Sequence, residues 1–195
     1  MVEKWLQELR RLKDVAVATV DGEGRPQVRI IDVMLVEDGK IYLVTARGKD
    51  FHRELTASGR AAIVALNEAY QSFRVSGSIE RLTDQKYWVD RVFAANPVLG
   101  SVYPGDSRYI LEAFSLTVEE GEVFDLGTAP ITRQAIGREK GFVITDSCLG
   151  CGLCAANCPQ QCIISGAPYH IEQAHCLHCG LCAENCPAEA IRRKG

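Results

Sequence analysis

The chain has 195 residues, with 22 Lys and Arg against 25 Asp and Glu for a net charge of −3. That balance describes an ordinary globular surface, and with no long basic stripe it gives nucleic acid no electrostatic footprint. No apolar run approaches the roughly 18 residues of a membrane span, and the first residues lack the charged, apolar and small-residue zones of a signal peptide, so a cytoplasmic protein without membrane or nucleic-acid partners is expected.

In chain order, Val2 to Lys13 sets Trp5, Leu6, Leu9 and Leu12 at helical spacing among charges, which predicts an amphipathic helix lying on a core. The period then changes to that of strands. Val15 to Val20, Gln27 to Val36, Lys40 to Thr45, Ala61 to Leu66, Ser72 to Leu82 and Tyr109 to Val118 are β-rich runs punctuated by turn residues. Asp21-Gly22-Glu23-Gly24 joins the first two, and Glu37-Asp38-Gly39 reads as a tight hairpin between the next two. Short helices fit Asp50 to Ser58 and Thr83 to Asn96, with Asp50 and Thr83 as N-caps. Six strands joined largely by hairpins, with two intervening helices, predict an antiparallel β-barrel, a mainly β or α+β class.

The order Ala16-Val17-Ala18-Thr19, Gly24-Arg25-Pro26-Gln27-Val28-Arg29, Tyr42-Leu43-Val44-Thr45, Lys49 and Val75-Ser76-Gly77 resembles the pyridoxamine 5′-phosphate oxidase-like split barrels over residues 1–127. The resemblance implies a homodimer with FMN in a cleft between two barrels. It implies that Arg29 on the second strand, and Thr45, Ala46, Arg47 and Lys49 after the third, hold the flavin phosphate. Ile30, Ile31 and Asp32 would run along the ring, and Ser72 and Arg74 are weaker candidates. A phosphate dianion does need fixed cations and hydroxyl donors of this kind. Trp88, Tyr103 and Tyr109 read as core or interface aromatics, with stacking on the ring as the alternative. Vitamin B6 oxidases of this type end in an Arg-x-His substrate segment, and none follows Glu119 here, so pyridoxamine phosphate is a poor substrate expectation.

Residues 128–140 read as a linker into a module over 141–195, which contains all nine cysteines. Two copies of C-x-x-C-x-x-C-x-x-x-C-P stand there: Cys148, Cys151, Cys154 and Cys158, then Cys176, Cys179, Cys182 and Cys186. A shift of 28 residues lays Cys148–Ile163 on Cys176–Ile191 with 11 of 16 positions identical, an internal repeat. The run is similar to that of bacterial two-cluster ferredoxins, in which three cysteines hold one [4Fe-4S] cube and the fourth crosses to the other. That likeness assigns Cys148, Cys151, Cys154 and Cys186 to one cluster, and Cys158, Cys176, Cys179 and Cys182 to the second. Structural zinc and a disulfide scaffold are the lesser readings.

The same shift sets Cys162 on Ala190, which suggests a buried packing role, with a redox-sensing or spare ligand thiol as the alternative. His178, between cluster cysteines, reads as solvent-facing or potential-tuning, and Arg192-Arg193-Lys194 as a solvated tail. Together these features point to an FMN and iron–sulfur oxidoreductase passing electrons between flavin and clusters, its catalytic residue, donor and acceptor unassigned. Two alternatives remain open: an electron carrier whose barrel is a dimerisation or docking scaffold, and a reductase using F420 in place of FMN.

Overall fold

The computed structural model describes residues 1–195. Contacts divide the chain into two compact units, one of Met1–Asn67 with Phe73–Gly121, the other of Glu68–Ser72 with Glu122–Gly195.

The first unit opens with helix α1 (Val2–Leu12), whose Trp5, Leu6 and Leu9 are buried as their spacing requires. Strands β1 (Asp14–Val20), β2 (Pro26–Asp32), β3 (Leu35–Glu37), β4 (Lys40–Ala46), β5 (Arg60–Leu66), β6 (Gln71–Arg81) and β7 (Leu111–Asp125) form one sheet in the order β2-β1-β5-β6-β7-β4-β3. The pairings of β1 with β2 and β5, and of β4 with β3 and β7, are antiparallel. The run Gln27 to Val36, expected as one strand, is two. The chain breaks at Val33 and Met34, where Val33 N–H donates to Lys13 O and Met34 N–H to Tyr42 O. β2 and β3 therefore lie at opposite ends of the strand order although adjacent in sequence, which curls the sheet into a half-barrel. Arg10 fixes this crossing, donating to Val33 O at 2.5 Å and to Oδ1 of the buried Asn96 at 2.8 Å.

The β3–β4 hairpin has both central residues, Asp38 and Gly39, at positive φ, as a tight primed turn demands. Helix α2 (Asp50–Ser58) follows β4, and α3 (Gln85–Ala95) precedes β7. The caps differ from expectation by one residue each. Asp84, not Thr83, accepts from Tyr87 N–H, and α2 is entered at Lys49 with no side-chain cap, Asp50 standing in its first turn.

In the second unit, β8 (Thr132–Ile136) pairs with β7, so the segment read as a linker carries a strand. β9 (Gly141–Ile144) pairs with β12 (Ile191–Lys194), and β10 (Ile163–Ile164) with β11 (His170–Ile171). The short helices α4 (Leu153–Ala156) and α5 (Leu181–Glu184) fall 28 residues apart, matching the sequence repeat. The terminal basic run is not a free tail: it forms β12, and Lys194 Nζ donates to Glu139 Oε2 at 2.9 Å. Among the helices, none is long and apolar enough to cross a membrane.

Candidate functional site

A cleft of about 980 Å³ opens in the first unit, walled by the β1–β2 turn, β2, β4 and the start of α2. Five residues expected at a flavin line it: Arg29, Ile30, Ile31, Thr45 and Lys49. The others do not. Asp32 ends β2 and lies 3.3 Å from Lys13 Nζ, Ala46 packs with an apolar cluster around Tyr42 and Phe93, and Arg47 donates to Tyr109 O at 2.7 Å. Arg74 is exposed on β6, and Ser72 falls in the second compact unit. Arg25, Gln27, Arg53 and Glu54 line the cleft although the sequence reading passed over them. For Glu54 a signal existed: it shares the buried side of α2 with Phe51 and Leu55, an odd place for a carboxylate.

The charges in the cleft are mostly consumed internally. Arg29 donates to Glu54 Oε2 at 2.7 Å and to Thr19 Oγ1 at 2.5 Å, its guanidinium lies over the Phe51 ring, and Thr19 in turn donates to Glu54. Arg25 pairs with Asp21 and Glu23, and Arg53 with Asp50. Lys49 makes no ion pair, and it stands where α2 begins without a side-chain cap. Thr45 Oγ1, on the neighbouring strand, is buried with no hydrogen-bond partner. A buried unpaired hydroxyl costs about 1 to 3 kcal/mol. An uncommitted ammonium at a helix start without a side-chain cap and an orphaned hydroxyl together suit a phosphate group.

Trp88 stacks on Tyr42 at 4.7 Å, and Tyr103 and Tyr109 pack against the same apolar cluster, which places all three in the core reading. A second constellation surrounds Glu112, only 5% exposed, which accepts from Arg81 at 2.5 and 2.6 Å and lies 2.7 Å from His52 Nε2. The Arg81 hydrogen bonds, with a further one from His52, hold the Glu112 carboxyl down at about 2.

In the second unit the eight repeated cysteines ring two cavities. One is walled by Cys148, Cys151, Cys154 and Cys186, the other by Cys158, Cys176, Cys179 and Cys182. Each set takes three thiols from one run and the Cys-Pro thiol from the other. Backbone N–H groups point at the sulfurs, from Gly150 to Cys148 at 3.5 Å, His178 to Cys176 at 3.4 Å and Ala190 to Cys186 at 3.3 Å. No group of three or more His, Cys, Asp or Glu side chains converges on a single ion; what favours a multi-iron core over zinc is the spacing, three closely set thiols plus a Cys-Pro thiol of the other run. Burial pushes the Cys154 thiol up and the Cys182 thiol to about 11, so an iron centre held there would have to displace their protons.

Cys162 is 3% exposed beside Cys158, with 3.6 Å between the sulfurs, and borders the second cavity; Ala190 fills the equivalent slot in the repeat. Two histidines find partners far away in sequence, His52 at Glu112 and His175 Nδ1 at the Ile131 carbonyl, 2.8 Å away; His178, expected to face solvent or tune a potential, does not face solvent, its Nε2 being buried and its Nδ1 2.8 Å from the Arg133 guanidinium.

A curled antiparallel half-barrel with a phosphate-suited cleft, in one chain with two rings of four thiols, defines a flavin-barrel protein with an iron–sulfur module. The chain belongs to the pyridoxamine 5′-phosphate oxidase family, matched over residues 1–122, and carries a 4Fe-4S binding domain over residues 169–192. It is similar to dihydrophenazinedicarboxylate synthase of Pseudomonas chlororaphis, 29% identical over 50% of this chain and 48% of that protein. It is equally similar to pyridoxine/pyridoxamine 5′-phosphate oxidase of Azorhizobium caulinodans, 29% identical over 58% of this chain and 59% of that one. The chain thus spans about half the length of the curated relatives it matches. Among solved structures, a pyridoxamine 5′-phosphate oxidase-related, FMN-binding protein of Nostoc punctiforme shares the fold, with a TM-score of 0.53 at 16% identity over 71% of this chain and 87% of that one.

Proposed function

We propose that this protein is an FMN-dependent iron–sulfur oxidoreductase that passes electrons between a flavin in the barrel and two [4Fe-4S] clusters. The observation that carries the reading is the pair of four-thiol rings, each closed by a cysteine of the other run, in one chain with a barrel of this family. FMN supplies two-electron chemistry and each cube one-electron transfer, so the pair converts one into the other. Lys49, Thr45 and the α2 N–H groups hold the phosphate end of the flavin, while Arg29, braced by Glu54, shapes the cleft beside Ile30 and Ile31. Covalent fusion keeps flavin and clusters at high local concentration. Nine free cysteines suit a reducing cytoplasm.

The reading includes a homodimer. Val28 and Ile30 of β2 are 72% and 66% exposed, and their cross-strand partners continue an apolar face through Ala18 and Ala16 to Val64. A second barrel covering this face removes it from water.

Anaerobically reconstituted full-length protein is expected to show flavin bands over a broad iron–sulfur shoulder and close to eight iron per chain. Photoreduction of its flavin without mediator is expected to raise a reduced-cluster paramagnetic signal. Clusters without flavin would favour the docking-scaffold alternative, a deazaflavin in place of flavin the F420 alternative, and a plateau at four iron would remove the second cluster.

A further inference from the structure

The two cysteine loops are built alike but differ at one of the residues whose amide donates to a ligand sulfur. In the first loop the amide that donates to a ligand sulfur belongs to Gly150, exposed and at φ 70. In the second, the residue 28 positions on is His178, at φ 56, whose amide makes the same bond to Cys176. A non-glycine residue in the left-handed region is strained, so something must hold the imidazole there.

Arg133 of β8 does so. Its Nη1 donates to His178 Nδ1 at 2.8 Å and to Glu122 Oε2 at 2.9 Å, and its side chain is 12% exposed. Because a guanidinium only donates, Nδ1 must accept, which leaves the imidazole neutral with its proton on Nε2. That Nε2, Gln173 Oε1 and Arg133 Nε are buried without partners. Two of these atoms crowd the backbone of Gly141, where an added Cβ would lie 2.6 Å from each. Such a slot is poor in stabilising contacts, and it sets a fixed cation one side chain away from a cluster loop. His175 and Gln160 also bind the C=O and N–H of Ile131, so the segment just ahead of Arg133 is fastened to this module.

We propose that Arg133 is a potential-setting residue for one cluster only: oriented by Glu122 and relayed through His178, its charge raises the reduction potential of the cluster ringed by Cys158, Cys176, Cys179 and Cys182, leaving the other unaffected. Reduction adds one electron to that cluster and breaks no bond, so a fixed positive charge beside it favours the reduced form. The proposal rests on the two-cluster reading above.

The test is a redox titration of anaerobically reconstituted full-length protein, followed by the paramagnetic signals of both clusters, with the second assigned by its loss in Cys179→Ala. Arg133→Gln is expected to lower that cluster's potential by an amount equivalent to about a tenfold change in its reduced-to-oxidised ratio, about 59 mV for one electron, while the other stays in place. Arg133→Lys, which keeps the charge, is expected to restore most of the difference. His178→Gly, which copies the first loop and relieves its strain, is expected to shift the same cluster downward. Full iron content with both potentials unmoved in Arg133→Gln and His178→Gly, or with both moved equally, would overturn this proposal alone. Fewer than eight iron in the unaltered protein would overturn the two-cluster reading and this proposal with it.

Discussion

Arg29 donates to Glu54 across 2.7 Å, and both belong to the wall of the barrel cleft. The side chains are 23% and 7% exposed, so this is an ion pair within the fold rather than a surface contact. Removing one member leaves the other desolvated and unpaired, at a typical cost of about 3 kcal/mol. Arg29→Ala is therefore expected to destabilise the flavin-free protein by about that amount in chemical denaturation, in addition to any loss of flavin. Unchanged stability would show that Glu54 is not committed to Arg29.

Lys49 behaves differently because it has no internal partner. Lys49→Ala is expected to leave stability nearly unchanged and to weaken FMN binding by roughly 10- to 150-fold, the equivalent of about 1.5 to 3 kcal/mol for one charge-assisted phosphate contact. Flavin fluorescence titration reads this directly, and iron content should not move. Unaltered affinity would take Lys49 out of the phosphate site.

The crossover of thiols gives a prediction that opposes sequence proximity. Cys186 belongs to the second run but walls the cavity of Cys148, Cys151 and Cys154. Cys186→Ala is expected to deplete the first cluster while the second keeps its signal. The reciprocal change, Cys158→Ala, is best read together with Cys162→Ala, since the Cys162 thiol stands 3.6 Å from the one removed. Loss of the second cluster in Cys186→Ala would contradict the crossover.

Glu112 predicts a pH dependence. Its folded-state carboxyl sits near 2 against an ordinary 4.5, because Arg81 first and His52 second favour the ionised form. A depressed carboxyl stabilises the fold above the unfolded value, and that contribution disappears as pH falls from about 4.5 to about 2. Denaturation midpoints measured across this window should fall with acid. In Glu112→Gln the part of the fall due to this residue should be absent; an identical acid profile in the variant would assign the loss elsewhere.

Val28, 72% exposed on the apolar face of β2, tests the dimer. Val28→Asp places a charge where a second barrel would cover it, and sedimentation is expected to show a shift from dimer to monomer without loss of secondary structure. A dimer of unchanged affinity would move the interface to another face.

The sequence alone determined the cysteine module most completely. Its spacing and 28-residue repeat are local, and the repeated local spacing gathers the thiols around the two cavities. Strand and helix positions were legible for the same reason, since alternation and helical spacing are properties of neighbouring residues: Trp5, Leu6 and Leu9 face the core as read. The break at Val33 was read through although Asp32, a poor strand former, stands just before it, because one such residue does not announce that a strand leaves one edge of a sheet for the other. Neither were Glu54 beside Arg29, His52 beside Glu112 or Arg133 beside His178, pairs separated by 25, 60 and 45 positions. Long-range partners are chosen by where packing brings two elements together, and single side chains contribute too little for sequence pattern to announce them. Tertiary structure therefore decided which cations are spent inside the fold, which hydroxyl is left for a ligand, and which of two nearly identical cysteine loops receives a charge.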